Sequence, residues 1–98
     1  MKEKEITKST VIRREFIEQD GIEYRYELEM RERRRGSFNV PLYSISVEMI
    51  LDDGSTTYAE TNEIFSDVGK AIAFFDRMIK NLATPIDLGY VVEDEIKG

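Results

Sequence analysis

Between Ile22 and Met30 the chain alternates without interruption, with Ile22, Tyr24, Tyr26, Leu28 and Met30 on one side and Glu23, Arg25, Glu27 and Glu29 on the other. A period of two belongs to extended backbone, in which successive side chains point to opposite faces. One oily face and one charged face describe an antiparallel sheet that is packed on one side and wetted on the other.

A second segment, Val40–Leu51, repeats the pattern: Tyr43, Ile45, Val47, Met49 and Leu51 alternate with Ser44, Ser46, Glu48 and Ile50. If the two apolar faces are to coincide, paired residue numbers must sum to an odd value. A sum of 73 sets Met30 by Tyr43, Leu28 by Ile45, Tyr26 by Val47, Tyr24 by Met49 and Ile22 by Leu51. A one-residue slip would turn charge into the core.

Two more strands flank this pair. Thr10–Glu18 mixes Val11, Ile12, Phe16 and Ile17 with Arg13, Arg14 and Glu15, which suits an edge strand, and Asp20-Gly21 supplies the hairpin turn after it. Met1–Ser9 is charged and lacks an apolar run, so it is expected to be flexible or to lead into that strand rather than to act as a secretory signal. The second strand is expected to end near Arg33, with Arg34–Asn39 as its exit loop around Gly36. Asp52-Asp53-Gly54 marks another hairpin, leading into a strand from Ser55 to about Glu63. A two-residue loop there would point Tyr58 at the core. A three-residue loop with a glycine bulge would point Thr57, Ala59 and Thr61 inward. The second is favoured, because Ala59 is small enough to lie under a helix and the first also turns Glu60 inward.

At Ser66 the period changes from two to 3.6. Ser66 is the expected N-cap, with Asp67 in the first turn. Val68, Ala71, Ile72, Phe75, Ile79 and Leu82 form an apolar stripe, widened by Phe74 and Met78, on a helix running to about Ala83. Thr84-Pro85 then restarts the chain as N-cap and first helical residue, with Asp87 placed for a short capping box. Leu88, Val91, Val92 and Ile96 make a shorter stripe, weakened by Gly89 and by Glu93, Asp94 and Glu95 near the helix C-terminus. The expected fold is α+β: a four-stranded antiparallel β-meander followed by two helices, the long one packed on one face of the sheet. Residues 1–98 form one domain.

Composition narrows the chemistry. The chain has no cysteine and no histidine, which removes disulfides, thiolate catalysis, His-dependent triads and the standard zinc sites. No stretch approaches the roughly 20 apolar residues of a membrane span, and a cytoplasmic location is expected. No phosphate-binding glycine loop or nucleophile elbow is present. Asp52 and Asp53 are read as turn residues, since the remaining spacing of a calcium loop is missing. Among the carboxylates, Glu48 and Glu60 are those to inspect if a pocket forms. No catalytic residue, cofactor or metal is expected.

Charge is unevenly divided. Residues 1–35 hold ten Lys/Arg against nine Asp/Glu, while residues 36–98 hold four against eleven. An acidic C-terminal two-thirds repels nucleic acid and anionic lipid, so such binding would need a local patch. Arg31, Arg33, Arg34 and Arg35 supply one, interrupted by Glu32, with Phe38 nearby as a stacking group. The competing reading is a solvated strand end laced with cross-strand ion pairs, which is favoured. Tyr24, Tyr26, Tyr43, Tyr58 and Tyr90 are read as core and rim material before they are read as a ligand cleft.

The segment Tyr43-Ser44-Ile45-Ser46-Val47-Glu48, continuing through the Asp-Asp-Gly turn to Ile64-Phe65-Ser66-Asp67, resembles a family of small uncharacterised proteins of low-GC Gram-positive bacteria. Thr84-Pro85-Ile86-Asp87-Leu88 with Val91-Val92-Glu93-Asp94 carries the same resemblance. It covers about the C-terminal half. It implies a bacterial cytosolic origin and a domain of unknown function, with no catalytic residue. The expected function is a non-enzymatic, self-associating protein-interaction module. Its contact surface is expected at Ser44, Ser46, Glu48 and Ile50 on the open sheet face, at a sheet edge, or at Glu93 and Asp94. Partners are a protein or a second copy, a homodimer among them, with no membrane. Nucleic-acid or anion binding through Arg31, Arg33, Arg34 and Arg35 is the alternative.

Overall fold

The computed structural model describes residues 6–61, 63 and 65–88. Strands β1 (Ile6–Gln19), β2 (Ile22–Arg35), β3 (Phe38–Ile50) and β4 (Thr56–Glu60) form one antiparallel sheet in chain order, and helix α1 (Val68–Lys80) follows. Residues 85–88 form the opening turn of a second helix. The expected meander with a packed helix is therefore the fold. The expectations for Met1–Glu5, Gly89, Tyr90, Val91, Val92, Glu93, Asp94, Glu95 and Ile96 lie outside the described residues.

The central register is the one the alternation requires. Met30 pairs with Tyr43, Leu28 with Ile45, Tyr26 with Val47 and Tyr24 with Met49. The ladder ends at Glu23–Ile50, so Ile22 and Leu51 lie one step past it. In the β1–β2 turn Asp20 (φ 57°) and Gly21 (φ 80°) are both left-handed, as a type I′ hairpin demands. β4 adopts the bulged register: Ala59 lies opposite Val47, Thr61 is buried and Tyr58 points to the open face. Asp53 accepts hydrogen bonds from the Ser55 amide (2.9 Å) and hydroxyl (2.7 Å), which makes it a turn-former. The Ser55 contacts, its backbone amide first, hold the Asp53 carboxyl below the ordinary aspartate range.

Several boundaries differ from expectation. β1 is longer than Thr10–Glu18 and takes in Ile6–Ser9, and its pairing with β2 shifts between Ile6 and Lys8 and again between Val11 and Arg13. The second shift is a bulge, and it accounts for the broken alternation at Val11-Ile12-Arg13-Arg14. Arg34–Asn39 is not an exit loop. β2 and β3 stay paired to Arg35–Phe38 across a two-residue turn opened by Gly36 (φ 61°). The apolar pattern stops at Met30 because no described helix covers this end, while the backbone ladder continues past it to the turn. α1 spans about 20 Å against about 46 Å for β2. β4 stops at Glu60 rather than Glu63, and the chain re-pairs once at Phe65, whose carbonyl accepts from the Tyr43 amide at 2.8 Å.

α1 lies across β2 and β3 and buries Ala71, Phe74, Phe75 and Met78 against Tyr26, Leu28, Ile45 and Val47. Burying each large side chain contributes about 1.5–3 kcal/mol before entropy. The buried stripe is centred on Phe74 and Met78 rather than flanked by them, which leaves Val68 41% exposed. The rotation lets Phe74 meet Phe65 with centroids 5.1 Å apart. Asp67, not Ser66, is the N-cap: the Phe65 bridge keeps the chain extended until Asp67, whose carboxylate accepts from the Gly69 amide at 3.0 Å. The helix closes at Lys80, earlier than Ala83. Leu82 takes φ 52° and its amide reaches the Ile79 carbonyl (3.1 Å), while the Ala83 amide reaches that of Met78 (3.0 Å). This is a Schellman closure with leucine where glycine is usual, held by Leu82 packing on the core. Thr84 and Asp87 then form the expected reciprocal capping box, at 3.1 and 3.2 Å.

One bond ties the layers together. The fully buried Tyr26 hydroxyl donates to the Ala83 carbonyl at 2.8 Å. Burial, with smaller effects from Tyr24 and Asp87, pushes the Tyr26 phenol up to about 12. No helix among the described residues is long and apolar enough to cross a membrane.

Candidate functional site

The face of the sheet opposite α1 carries the residues that alternate with the core. Register places Glu23, Arg25, Glu27, Glu29, Arg31 and Arg33 of β2 there, beside Ser44, Ser46, Glu48 and Ile50 of β3. Arg14 and Phe16 of β1 and Tyr58 and Glu60 of β4 complete the face. No described element covers it.

Its centre is a trough of about 320 Å³, lined by Arg14, Phe16, Arg25, Glu27, Ser46, Glu48 and Tyr58. Phe16 and Tyr58 stand on the two edge strands, 58% and 60% exposed, and form its walls. The floor is charged but internally matched. Arg14 pairs with Glu27 at 2.9 Å, and Arg25 pairs with Glu23 at 3.2 Å and Glu48 at 3.9 Å. The Arg25 guanidinium also lies 5.6 Å from the Phe16 ring centroid, a cation–π contact. Tyr58 donates to Glu60 at 3.0 Å, and burial followed by this carboxylate raises its phenol. Such a surface offers two apolar platforms and a row of hydrogen-bonding groups of both signs.

Beyond the trough lies an ion-pair cluster built on the arginine run. Arg33 grips Glu63 with Nε and Nη2, both at 2.7 Å. Arg31 reaches Glu29 (2.9 Å), Glu60 (2.8 Å) and Glu63 (3.4 Å). The Arg33 hydrogen bonds, working against desolvation, hold the Glu63 carboxyl below its usual range. For Glu29, desolvation is the largest single influence and pulls upward, but the hydrogen bonds from Ser9 and Arg31 and the Arg31 charge together hold the carboxyl below its usual range. Glu63 sits at φ 66°, and its amide donates to the Ser44 hydroxyl at 3.3 Å. That hydroxyl in turn donates to Glu60 at 3.0 Å.

The arginine run is thus divided. Arg31 and Arg33 share the open face and are engaged by glutamates, while Arg34 faces the other side of the sheet and Arg35 stands at the hairpin tip opposite Phe38, which is 72% exposed. A four-arginine grip on phosphate would have to dismantle the Arg31 and Arg33 pairs and gather side chains from both faces. Ser44 points to the open side yet is only 2% exposed, beneath Glu60 and Glu63, which removes it from any contact surface. Ser46 and Glu48 line the trough and Ile50 lies outside it, whereas Glu93 and Asp94 are outside the described residues. Glu48, one of the two carboxylates to inspect, borders the trough; Glu60, the other, is committed to Arg31. Among the described residues no group of three or more metal-ligating side chains is placed to hold an ion.

Sequence reasoning missed Glu63 as the partner of the arginines and Phe16 and Tyr58 as walls of one trough. Glu63 is separated from Arg33 by 30 residues and reaches it through a left-handed backbone position that no local pattern announces. Phe16 faces outward by the register that the Asp20-Gly21 turn sets and that runs unbroken to Arg13, and its place across the sheet from Tyr58 follows only from the order of the four strands.

A one-sided antiparallel sheet, helix-covered on one face and bearing an aromatic-walled, charge-matched trough on the other, defines a small α+β domain with a surface rather than a cavity as its candidate site. The chain belongs to the family described as "Family of unknown function (DUF6514)", whose model matches residues 3–98. Comparison with curated proteins and with solved structures returned no significant match.

Proposed function

We propose that this protein is a non-enzymatic interaction module that self-associates and offers the open face of its sheet to a protein partner. The observation that carries the reading is the trough itself: two exposed aromatic walls over a floor whose charges are already neutralised in pairs. Exposed aromatics flanked by satisfied polar groups suit a protein contact, in which an apolar side chain seats between Phe16 and Tyr58 while polar groups meet the floor. A matched floor lacks the excess of one sign that steers nucleic acid. A cytoplasmic setting in a low-GC Gram-positive bacterium belongs to the same reading, supported by the resemblance of Tyr43–Asp67 and of the Thr84 segment.

The test is affinity capture from the native host with the immobilised protein, comparing wild type with Tyr58→Ser/Glu48→Lys. A defined partner retained by the wild type and lost by the double variant is the expected result. Equal retention by both, or retention of nucleic acid that Arg34→Ala/Arg35→Ala abolishes, would overturn the proposal.

A further inference from the structure

The outer edge of β1 points to how the self-association in the reading above is built, and it does so without reference to the trough's partner. β1 is a 14-residue edge strand with no described strand on its outer side, and the backbone groups of such an edge are a template for another strand. The bulge between Val11 and Arg13 bends it and leaves a regular stretch, Arg13–Gln19, in unbroken register with β2. The midpoint of that stretch is Phe16, the most exposed large hydrophobic residue of the strand at 58%.

Charge around this midpoint is antisymmetric. Two residues before Phe16, on the same open face, is Arg14; two residues after it is Glu18. Among the described residues Glu18 has no ion-pair partner, and Arg14, paired with Glu27 by its Nε, has guanidinium donors to spare. A two-fold axis perpendicular to the sheet brings a second β1 alongside antiparallel and pairs residues whose numbers sum to an even value. With the axis at Phe16, the aromatic rings of the two copies meet as a cross-strand pair and Arg14 of each copy faces Glu18 of the other. Ile17 then faces Glu15 and Arg13 faces Gln19, so no like charges oppose each other. The neighbouring even registers are worse: one sets Glu15 against Glu15, the other sets Phe16 against Glu18. Like charges directly opposite disfavour a pair, and aromatic and opposite-charge pairs favour it.

We infer that two copies of this chain join through their β1 edges, centred on Phe16, into one eight-stranded antiparallel sheet. Both α1 helices then lie on one side and both open faces run together on the other, with the paired Phe16 rings as a ridge between two troughs. The contact is isologous, as a two-fold dimer requires. A ladder this short lies at the small end of protein interfaces, so the dimer is expected to be weak and to depend on concentration.

Sedimentation equilibrium up to about 500 µM, together with cross-linking, tests the assignment. The wild type should be a concentration-dependent dimer. Arg14→Glu should weaken it by about tenfold or more, Glu18→Arg likewise, and the double exchange Arg14→Glu/Glu18→Arg should restore it. Because the chain is free of cysteine, Phe16→Cys should give a disulfide dimer under mild oxidation, while Tyr58→Cys on the opposite edge should not. A chain that stays monomeric throughout the range overturns self-association altogether. A dimer that ignores both charge reversals, or that Tyr58→Cys traps and Phe16→Cys does not, overturns this interface and leaves self-association standing. Folding of each variant is checked by the unchanged far-UV spectrum of its monomer.

Discussion

The two faces of the same sheet use one alternating pattern for opposite ends. Side chains from Tyr24 to Leu28 on one side are sealed beneath α1 and hold the layers together, while their neighbours from Glu23 to Glu29 on the other stay wet and pair among themselves. Stability is concentrated on the first face, and the second is the surface proposed for recognition. The separation teaches that trough residues such as Tyr58 can be altered at less cost to the fold than the residues beneath α1, provided the register of β2 with β3 is kept.

That division can be broken in order of expected effect. Leu28→Ala or Phe74→Ala removes a fully buried side chain from the helix–sheet interface and should cost about 3–5 kcal/mol in urea unfolding. A loss below about 1 kcal/mol would mean that α1 does not seal this face of the sheet. Tyr26→Phe leaves the Ala83 carbonyl without its donor and should cost about 1–2 kcal/mol. It has a pH signature as well. The folded Tyr26 phenol titrates near 12, above its ordinary value of 10, so the folded state holds its proton longer than the unfolded chain does. The stability it contributes is complete below pH 10 and is lost as pH rises through the folded value. Chemical unfolding measured between pH 9 and 12 should show a steeper limb in the wild type than in Tyr26→Phe, where the raised Tyr58 phenol still contributes.

The ion-pair cluster should produce a smaller effect of opposite sign. Glu63 and Glu29 titrate below the ordinary glutamate range in the fold, so the unfolded chain binds their protons first as pH falls. Their contribution is present above the unfolded value and disappears as pH drops through the lowered folded values. Glu63→Gln should flatten the acid side of the stability profile below pH 5 and leave pH 7 to 9 unaltered in shape. A profile identical to the wild type would show that the cluster is screened by solvent. The smallest change is expected at Tyr58→Ser, within about 0.5 kcal/mol of the wild type. If it instead unfolds the protein, the open face is structural and the contrast between faces fails.

Much of the first face was legible because it is governed by local rules. The sum of 73 between β2 and β3 follows from putting Tyr24, Tyr26 and Leu28 on the side of Ile45, Val47 and Met49, and the bulged β4 register follows from the size of Ala59 and the charge of Glu60. The Thr84–Asp87 box is likewise readable from spacing. The N-cap moved from Ser66 to Asp67 because a long-range bridge at Phe65 holds the preceding chain extended. The second face was legible only as a list of charges. Which carboxylate meets which guanidinium depends on the backbone path after β4, and Glu63 arrives there through a positive φ that few residues adopt.

By itself, then, the amino-acid sequence determined the class of fold, the pairing of the two central strands and the side of the sheet that α1 covers. Those follow from periodicity, since a residue's face in a strand is set by its parity and an apolar face must be buried. Tertiary structure alone decided the extension of β2 and β3 to the Gly36 turn, the bulge between Val11 and Arg13, and the capture of Arg31 and Arg33 by Glu60 and Glu63. These depend on where distant backbone segments run, and a pattern confined to one strand carries no information about the neighbour that will meet it across the sheet.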